Sequence, residues 1–373
     1  MFSDRAPEGQ LSALMDAIVL VGGEGTRMRP LTYDTPKQML PVVDRPLIEH
    51  VAGWLAGYGV RRLVLSLGYR SDAFVEAYPD GELLGVELVC ATEPEPLDTA
   101  GALRFAATAA ATAGRFLVLN GDVLTDFDLS ALVDFHLARK AEASIYLTPV
   151  PDPSAFGVVP TDAEGRVVAF IEKPAAGSAP TNLVNAGTYV LEPSVLERIP
   201  SGRRASIERE TFPRLVEEGA LFALASEAYW LDTGTPAKYI EAQLDVLHHR
   251  RGAVALPRVP EEAPGVFLAP SCSVAGVITA GCYVGPGARV QPGAQVTDSV
   301  LGENVDVGPD AVVHKSVVMA GAVVGKGAVI ESSIVGPAAL VGKGAQVSDL
   351  SVLRGSSKIE PGAVLAGARY PSP

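Results

Sequence analysis

Apolar residues in the first two thirds of the chain come in two alternating forms, short continuous runs and helically spaced sets. The run Ala17-Ile18-Val19-Leu20-Val21 reads as a buried strand that stops in Gly22-Gly23-Glu24-Gly25-Thr26-Arg27. Leu47, Ile48, Val51, Trp54 and Leu55 share one helical face, which Gly57 and Gly59 terminate. Buried runs recur at 62–67, 86–90 and 115–119, and an alanine-rich helical stretch at 100–113 separates the last two. Strands alternating with helices predict a mainly parallel sheet whose ligand crevice lies at the carboxyl ends of its strands. The glycine turn and Asn120-Gly121-Asp122 both fall at such ends.

From Ala143 onward glycine and proline cut the strands short, at 144–149, 156–159, 167–172 and 185–191. This pattern predicts an antiparallel excursion beside the parallel sheet, able to wall the crevice. A further strand is expected at 229–232, then a helix over 237–249 with Thr235 as N-cap and Pro236 at its first position. Proline and acidic residues mark 253–265 as a linker.

Beyond Val266 the period changes to six. Aliphatic residues, often followed by glycine, recur at Val284, Val290, Val296, Leu301, Val307, Val324, Val335, Val341 and Val352. One inward aliphatic per six residues, with a tight corner between, specifies a flat-sided parallel β-helix, here of about five coils over 266–373. The spacing resembles the left-handed hexapeptide-repeat domains. Many of those are acyltransferases with a catalytic histidine at a coil edge. His314, the one histidine inside the repeats, reads instead as a solvated corner residue of a stacking scaffold.

A chain of 373 residues with 48% hydrophobic content supports two cores. Its net charge of −13 excludes the broad basic field that nucleic acid or an anionic membrane surface requires, so any anion site must be local. Cys90, Cys272 and Cys282 lack CxxC spacing and support neither a zinc site nor a disulfide framework. Residues 1–15 read as an N-terminal extension without the apolar core of a signal peptide, and no run is long enough to span a bilayer. A soluble cytoplasmic protein is the expectation.

The local anion site is the glycine turn. Clustered glycines let several backbone N–H groups face one anion, and Arg27, Arg29 and Lys37 add charge. Polyphosphate is the ligand this predicts. The turn is not a Gly-x-x-x-x-Gly-Lys-Ser/Thr loop, and Met28 stands where the dinucleotide fingerprint needs its last glycine.

Five motifs stand in family order: 22–32 with Pro36-Lys37, Asn120-Gly121-Asp122, Phe170-Ile171-Glu172-Lys173-Pro174, Asn185-Ala186-Gly187 and Leu231-Asp232-Thr233-Gly234. Through them the chain resembles the sugar-1-phosphate nucleotidyltransferases, and with its β-helix it is most similar to the bacterial mannose-1-phosphate guanylyltransferase group. The resemblance implies a Rossmann-like mixed-sheet catalytic domain over 16–252 that joins a nucleoside triphosphate to a sugar 1-phosphate and releases pyrophosphate. It implies that Leu20, Gly22, Gly23, Gly25, Thr26, Glu93, Thr99 and Gly121 meet the nucleotide. Arg27 and Lys37 would hold its phosphates, and Asp122 and Asp232 would be catalytic ligands of Mg²⁺. Gly157, Glu172, Lys173 and Asn185 would hold the sugar phosphate.

Guanine presents two adjacent donors that one carboxylate can accept, so Glu93 favours GTP over a pyrimidine nucleotide. Asp98 departs from the family's usual glycine. A glucose-1-phosphate thymidylyltransferase and a non-catalytic nucleotide-sugar-binding subunit stay open as alternatives, and association into a homo-oligomer partly through the β-helix is expected.

Overall fold

The apolar run after Met15 forms strand β1 (Asp16–Leu20), which sits in the middle of a sheet of ten strands. The structure, a computed structural model, describes residues 15–251 and 256–371. Nearly all of the expected N-terminal extension, and 253–255 of the expected linker, lie outside these residues. Contacts divide the chain into two units: the residues up to Gly23 with Ile48–Trp230, and Glu24–Leu47 with the residues from Leu231 onward.

The first unit is built on β1, β2 (Arg62–Leu67), β3 (Glu82–Leu83), β4 (Val86–Thr92), β5 (Phe116–Asn120), β6 (Ala143–Pro149), β7 (Gly157–Val158), β8 (Ile171–Glu172), β9 (Leu183–Leu191) and β10 (Leu221–Ala225). Strands β5, β1, β2 and β4 lie side by side and parallel, as the alternation predicts. Beyond β5 the sheet becomes antiparallel: β9 pairs with β5, β6 and β7, and β7 pairs with β8. Helices α1 (Leu47–Gly57) and α2 (Asp98–Ala109) follow the expected apolar spacing. The run expected at 167–172 shortens to β8, because Val167 and Val168 donate their N–H groups to the carbonyls of Leu221 and Pro160 instead.

Several elements are absent from the sequence expectations, two of them central to the sheet. Helix α3 (Leu129–Arg139) starts at Asp128, whose carboxylate accepts from the N–H groups of Ser130 and Ala131. Its buried Leu129, Leu132, Val133 and His136 have helical spacing, a signal the sequence does carry. Strand β10 runs parallel to β6 although the two are far apart in sequence. One apolar core joins Ile18, Val64, Leu103, Phe116, Ile145, Tyr189 and Phe212, which fixes the parallel strands against α2 and the segment after β9.

In the second unit the segment Glu24–Leu47 holds to helix α4 (Pro236–Leu247). Tyr239 Oη and Gln243 Nε2 both donate to the Pro41 carbonyl, the latter at 3.0 Å, and Val43 N–H donates to Gln243 Oε1 at 2.5 Å. Thr235 caps α4 by accepting from Lys238 N–H at 3.3 Å, with Pro236 at the first position as expected. Arg354 donates to both oxygens of Asp34, at 2.6 and 2.7 Å.

The six-residue period becomes three parallel sheets wound in succession. One has eight strands, the first of them (Glu261–Ala263) antiparallel, and the others have six each, more than the expected five coils. Val300 pairs with Val317 and Val317 with Ile334, so these turns take 17 residues rather than 18, while the turn from Ile334 to Val352 takes 18. The lapses in the period come from one corner, where inward residues are five apart: Val296 to Leu301, Val313 to Val318, Ile330 to Val335. Buried serines close that short corner, as Ser316 N–H donates to Ser299 Oγ and Ser333 N–H to Ser316 Oγ, both at 3.1 Å. Val352, expected to point inward, is outward, and Leu353 takes its place in the inner row. Tyr283, Val300, Val317 and Ile334 lie on that same outward side, all buried, and the second apolar row masks the true register.

Candidate functional site

Parallel register brings the first unit's nucleotide candidates to one end of the sheet. Leu20, the last residue of β1, lies between Ser66 of β2 and Asn120 of β5. Its carbonyl accepts from Gly121 N–H at 3.0 Å, which sets Gly121 and the partly buried Asp122 beside the β1 terminus. Gly22 and Gly23 follow, both exposed, and their N–H groups donate to no protein acceptor among the described residues. Exposed consecutive amides of this kind are open to an acceptor from outside the protein.

Glu93 follows β4 and is half-buried. Its Oε2 accepts from Leu97 N–H at 2.9 Å and its Oε1 from Ser66 Oγ at 3.3 Å. A side chain on Gly22 would place its Cβ 3.2 Å from that Oε1, so the bare glycine admits the carboxylate against the turn. Burial raises the Glu93 carboxyl above the ordinary range, more than the two hydrogen bonds lower it. Each oxygen accepts one bond and keeps a further acceptor position.

Asp98 adopts a left-handed backbone, φ 60°, and its carboxylate accepts from Thr99 N–H at 2.8 Å. Aspartate is among the few non-glycine residues that tolerate this conformation. The Thr99 hydroxyl donates to Glu208 at 2.7 Å and accepts from Ile207 N–H at 2.8 Å, which engages that side chain inside the protein.

The sugar-phosphate candidates gather on the antiparallel strands. Gly157 and Glu172 are cross-strand partners, and Lys173 Nζ lies 3.5 Å from Glu172 Oε1. Asn185 stands where the β9–β6 register shifts, a bulge that re-aims its side chain. Its Oδ1 accepts from Gly187 N–H at 3.0 Å and its Nδ2 donates to the Tyr189 hydroxyl at 2.9 Å. Because β9 runs antiparallel to β5, with Thr188 opposite Leu119, Asn185 falls at the same end of the sheet as Asn120 and Asp122.

The second unit carries Gly25, Thr26, Arg27, Lys37 and Asp232. Gly25, with φ 60°, opens a short 3-10 turn over Thr26–Met28. This turn exposes Arg27, whose charged partner among the described residues is Asp232: Nη2 to Oδ2 is 3.8 Å, and the two side chains are 60% and 25% exposed. Asp232 Oδ1 accepts from Gly234 N–H at 2.7 Å. Lys37 is buried, in the third 3-10 turn of this segment (Lys37–Met39). Arg29, counted with the cations of the turn, pairs with Glu24 at 2.5 Å and lies over the Tyr33 ring. Sequence reasoning did not single out Gly234 for a role of its own, since its contact with Arg27 bridges residues far apart in the chain. Among the described residues no three His, Cys, Asp or Glu side chains gather as a metal cluster, and no helix is long and apolar enough to cross a membrane.

Residues 16–249 match the family model described as nucleotidyl transferase, and 278–370 match the model described as the GMPPB C-terminal domain. A mannose-1-phosphate guanylyltransferase of Mycobacterium tuberculosis is 38% identical over 302 residues, covering 79% of this chain and 81% of the relative. Mannose-1-phosphate guanylyltransferase 1 of Arabidopsis thaliana is 34% identical over 313 residues, covering 77% and 86%. Among solved structures, HddC from Yersinia pseudotuberculosis is similar with a TM-score of 0.54 and 28% identity, over 62% of this chain and 98% of that one. A second HddC structure, complexed with GMP-PN, is similar with the same TM-score and 29% identity, over 62% and 98%.

Proposed function

The chain belongs to the nucleotidyl transferase family, and from that premise we propose that it transfers GMP from GTP to mannose 1-phosphate, giving GDP-mannose and pyrophosphate. The observation that carries the reading is that mannose-1-phosphate guanylyltransferases are 38% and 34% identical over 79% and 77% of the chain, whose repeats match the GMPPB C-terminal domain. Support for guanine comes from the Glu93 carboxylate, which has two acceptor positions left for the N1–H and 2-amino donors.

The chemistry asks little of the protein beyond positioning and charge. An oxygen of the sugar phosphate, already anionic, attacks the α-phosphorus in line. The new P–O bond forms as the bond to pyrophosphate breaks, and no enzyme nucleophile or general base takes part. Repulsion between two anions is the obstacle. In this reading the Gly22 and Gly23 amides and Arg27 take the triphosphate, Lys37 neutralises the α-phosphate, and Glu172, Lys173 and Asn185 hold the sugar phosphate beside Gly157.

Family members generally use a divalent metal. Asp122 and Asp232 offer carboxylate oxygens, the donor type a hard cation takes, and the Gly234 N–H already orients one oxygen of Asp232. We assign these two residues to Mg²⁺, which when bound neutralises charge on the reacting phosphates. Cytoplasmic location and homo-oligomer formation partly through the β-helix belong to the same proposal, the latter supported by the exposed Val323, Leu340 and Val364 of the repeats.

Glu93→Gln tests the base assignment. Glutamine keeps an acceptor for Leu97 N–H but offers one carbonyl oxygen where the carboxylate offers two. The variant should fold as the parent does and lose about 10- to 100-fold in kcat/KM for GTP, with dTTP less affected. The ionised carboxylate is the form that accepts both guanine donors. With its carboxyl raised by burial, GTP use by the parent should fall, as pH drops, earlier than an ordinary glutamate would cause, and Glu93→Gln should lack that acid limb. A parent enzyme that prefers dTTP, or a variant that discriminates as the parent does, contradicts the assignment.

A further inference from the structure

We propose that Gly234 is a positioning residue for Arg27, an inference that rests on the nucleotidyl-transfer reading. It does two things at once. Its N–H holds Asp232 Oδ1 at 2.7 Å, and its bare α-carbon is the floor on which the Arg27 guanidinium lies. A Cβ built there would stand 2.7 Å from Asp232 Oδ1 and 3.1 Å from Arg27 Cζ, and nearer still to Arg27 Nη2. Real Cβ atoms do not approach so closely, so the Arg27 guanidinium and the Asp232 carboxylate must both shift.

The arrangement keeps Arg27 charged but uncommitted. At 3.8 Å, its separation from Asp232 Oδ2 exceeds a charge-assisted hydrogen bond of about 2.7–2.9 Å. The planar donors of the guanidinium are therefore left for phosphate oxygens, while the nearby carboxylate sets where the cation stands. With the Gly234 hydrogen bond in place Asp232 is not drawn into a full pair with Arg27, which would consume those donors.

Alanine is a clean probe of this role. The Gly234 backbone lies outside the left-handed region, so alanine adopts it without strain and retains the N–H. Arg27 is largely exposed, so it can swing aside at little cost to stability. Misplacement rather than unfolding is the outcome. A role in the fold alone would instead lower stability and act the same way whatever residue occupies position 27.

The test is binding of GTP, dTTP, UTP and ATP to the full chain by titration calorimetry in chelator, which removes any effect exerted through a metal. The nucleotide that the parent binds most tightly is then titrated into Gly234→Ala, Arg27→Ala and the double variant. Gly234→Ala should bind about 10-fold more weakly with an unchanged melting temperature, and Arg27→Ala about 10- to 100-fold more weakly. The double variant should match Arg27→Ala, because with Arg27 gone the added methyl meets only Asp232, whose effect through a metal the chelator removes. Parent-like binding by Gly234→Ala, or a full further loss on the Arg27→Ala background, overturns the proposal. If a nucleotide other than GTP binds best, the base assignment falls while the same comparison still decides Gly234. If the parent binds none of the four, both fall.

Discussion

Arg27→Ala is expected to reduce kcat/KM for nucleotidyl transfer by about 10²–10³-fold while leaving the melting temperature close to that of the parent. The two halves of that expectation have separate causes. Arg27 is 60% exposed, and its nearest carboxylate is 3.8 Å away, so removing it breaks no buried contact and no close ion pair. An exposed pair of this kind contributes about 0–1 kcal/mol. The rate falls because a fixed bidentate donor facing developing negative charge is worth far more in the transition state than in the free protein. Lysine at this position restores the charge but not the fork, so Arg27→Lys should recover only part of the loss. Steady-state kinetics together with thermal unfolding checks both halves. Near-normal turnover in Arg27→Ala would remove the residue from the catalytic set.

Excess chelator is expected to silence turnover, and added Mg²⁺ to restore it. Asp122→Asn and Asp232→Asn should each reduce kcat by about 10²–10³-fold with Mg²⁺ present, since several kcal/mol of charge stabilisation is at stake. Asparagine keeps the shape and one acceptor oxygen, so Asp232→Asn can still take the Gly234 N–H bond. What it lacks is the charge. The residual activity of each variant should demand a higher Mg²⁺ concentration, a shift that simple loss of folding does not produce. Activity that persists in chelator, or variants with parental Mg²⁺ dependence, would count against both assignments.

The fold was legible in the sequence wherever local pattern and tertiary structure agree. β1 and its glycine stop, the parallel order of β5, β1, β2 and β4, and the Thr235-Pro236 start of α4 all follow from apolar runs, breakers and caps. The parallel order also explains why Leu20, Gly121 and Glu93 come to one end of the sheet.

What stayed hidden depends on long-range contacts that no local pattern encodes. The β10–β6 pairing joins Leu221 to Ala143, and the Thr99 hydroxyl is taken up by Glu208 and Ile207. The facing of Val352 is hidden in the sequence because that side of the β-helix buries two apolar rows, which removes the alternation that normally sets register. The 17-residue turn is visible only once Ser299, Ser316 and Ser333 are seen stacked at one corner. Asp98 is the opposite case. It departs from the glycine usual in the family, yet its φ of 60° lies in the left-handed region that glycine enters most readily.

The central claim is that this chain makes GDP-mannose. Its most direct test is pyrophosphate release, with the nucleotide sugar identified by mass, over GTP, dTTP, UTP and ATP against mannose 1-phosphate, glucose 1-phosphate and glucosamine 1-phosphate in the presence of Mg²⁺. GTP with mannose 1-phosphate should give the highest kcat/KM, with one pyrophosphate per GDP-mannose. A winning combination of dTTP with glucose 1-phosphate, or no turnover with any pair, would contradict it.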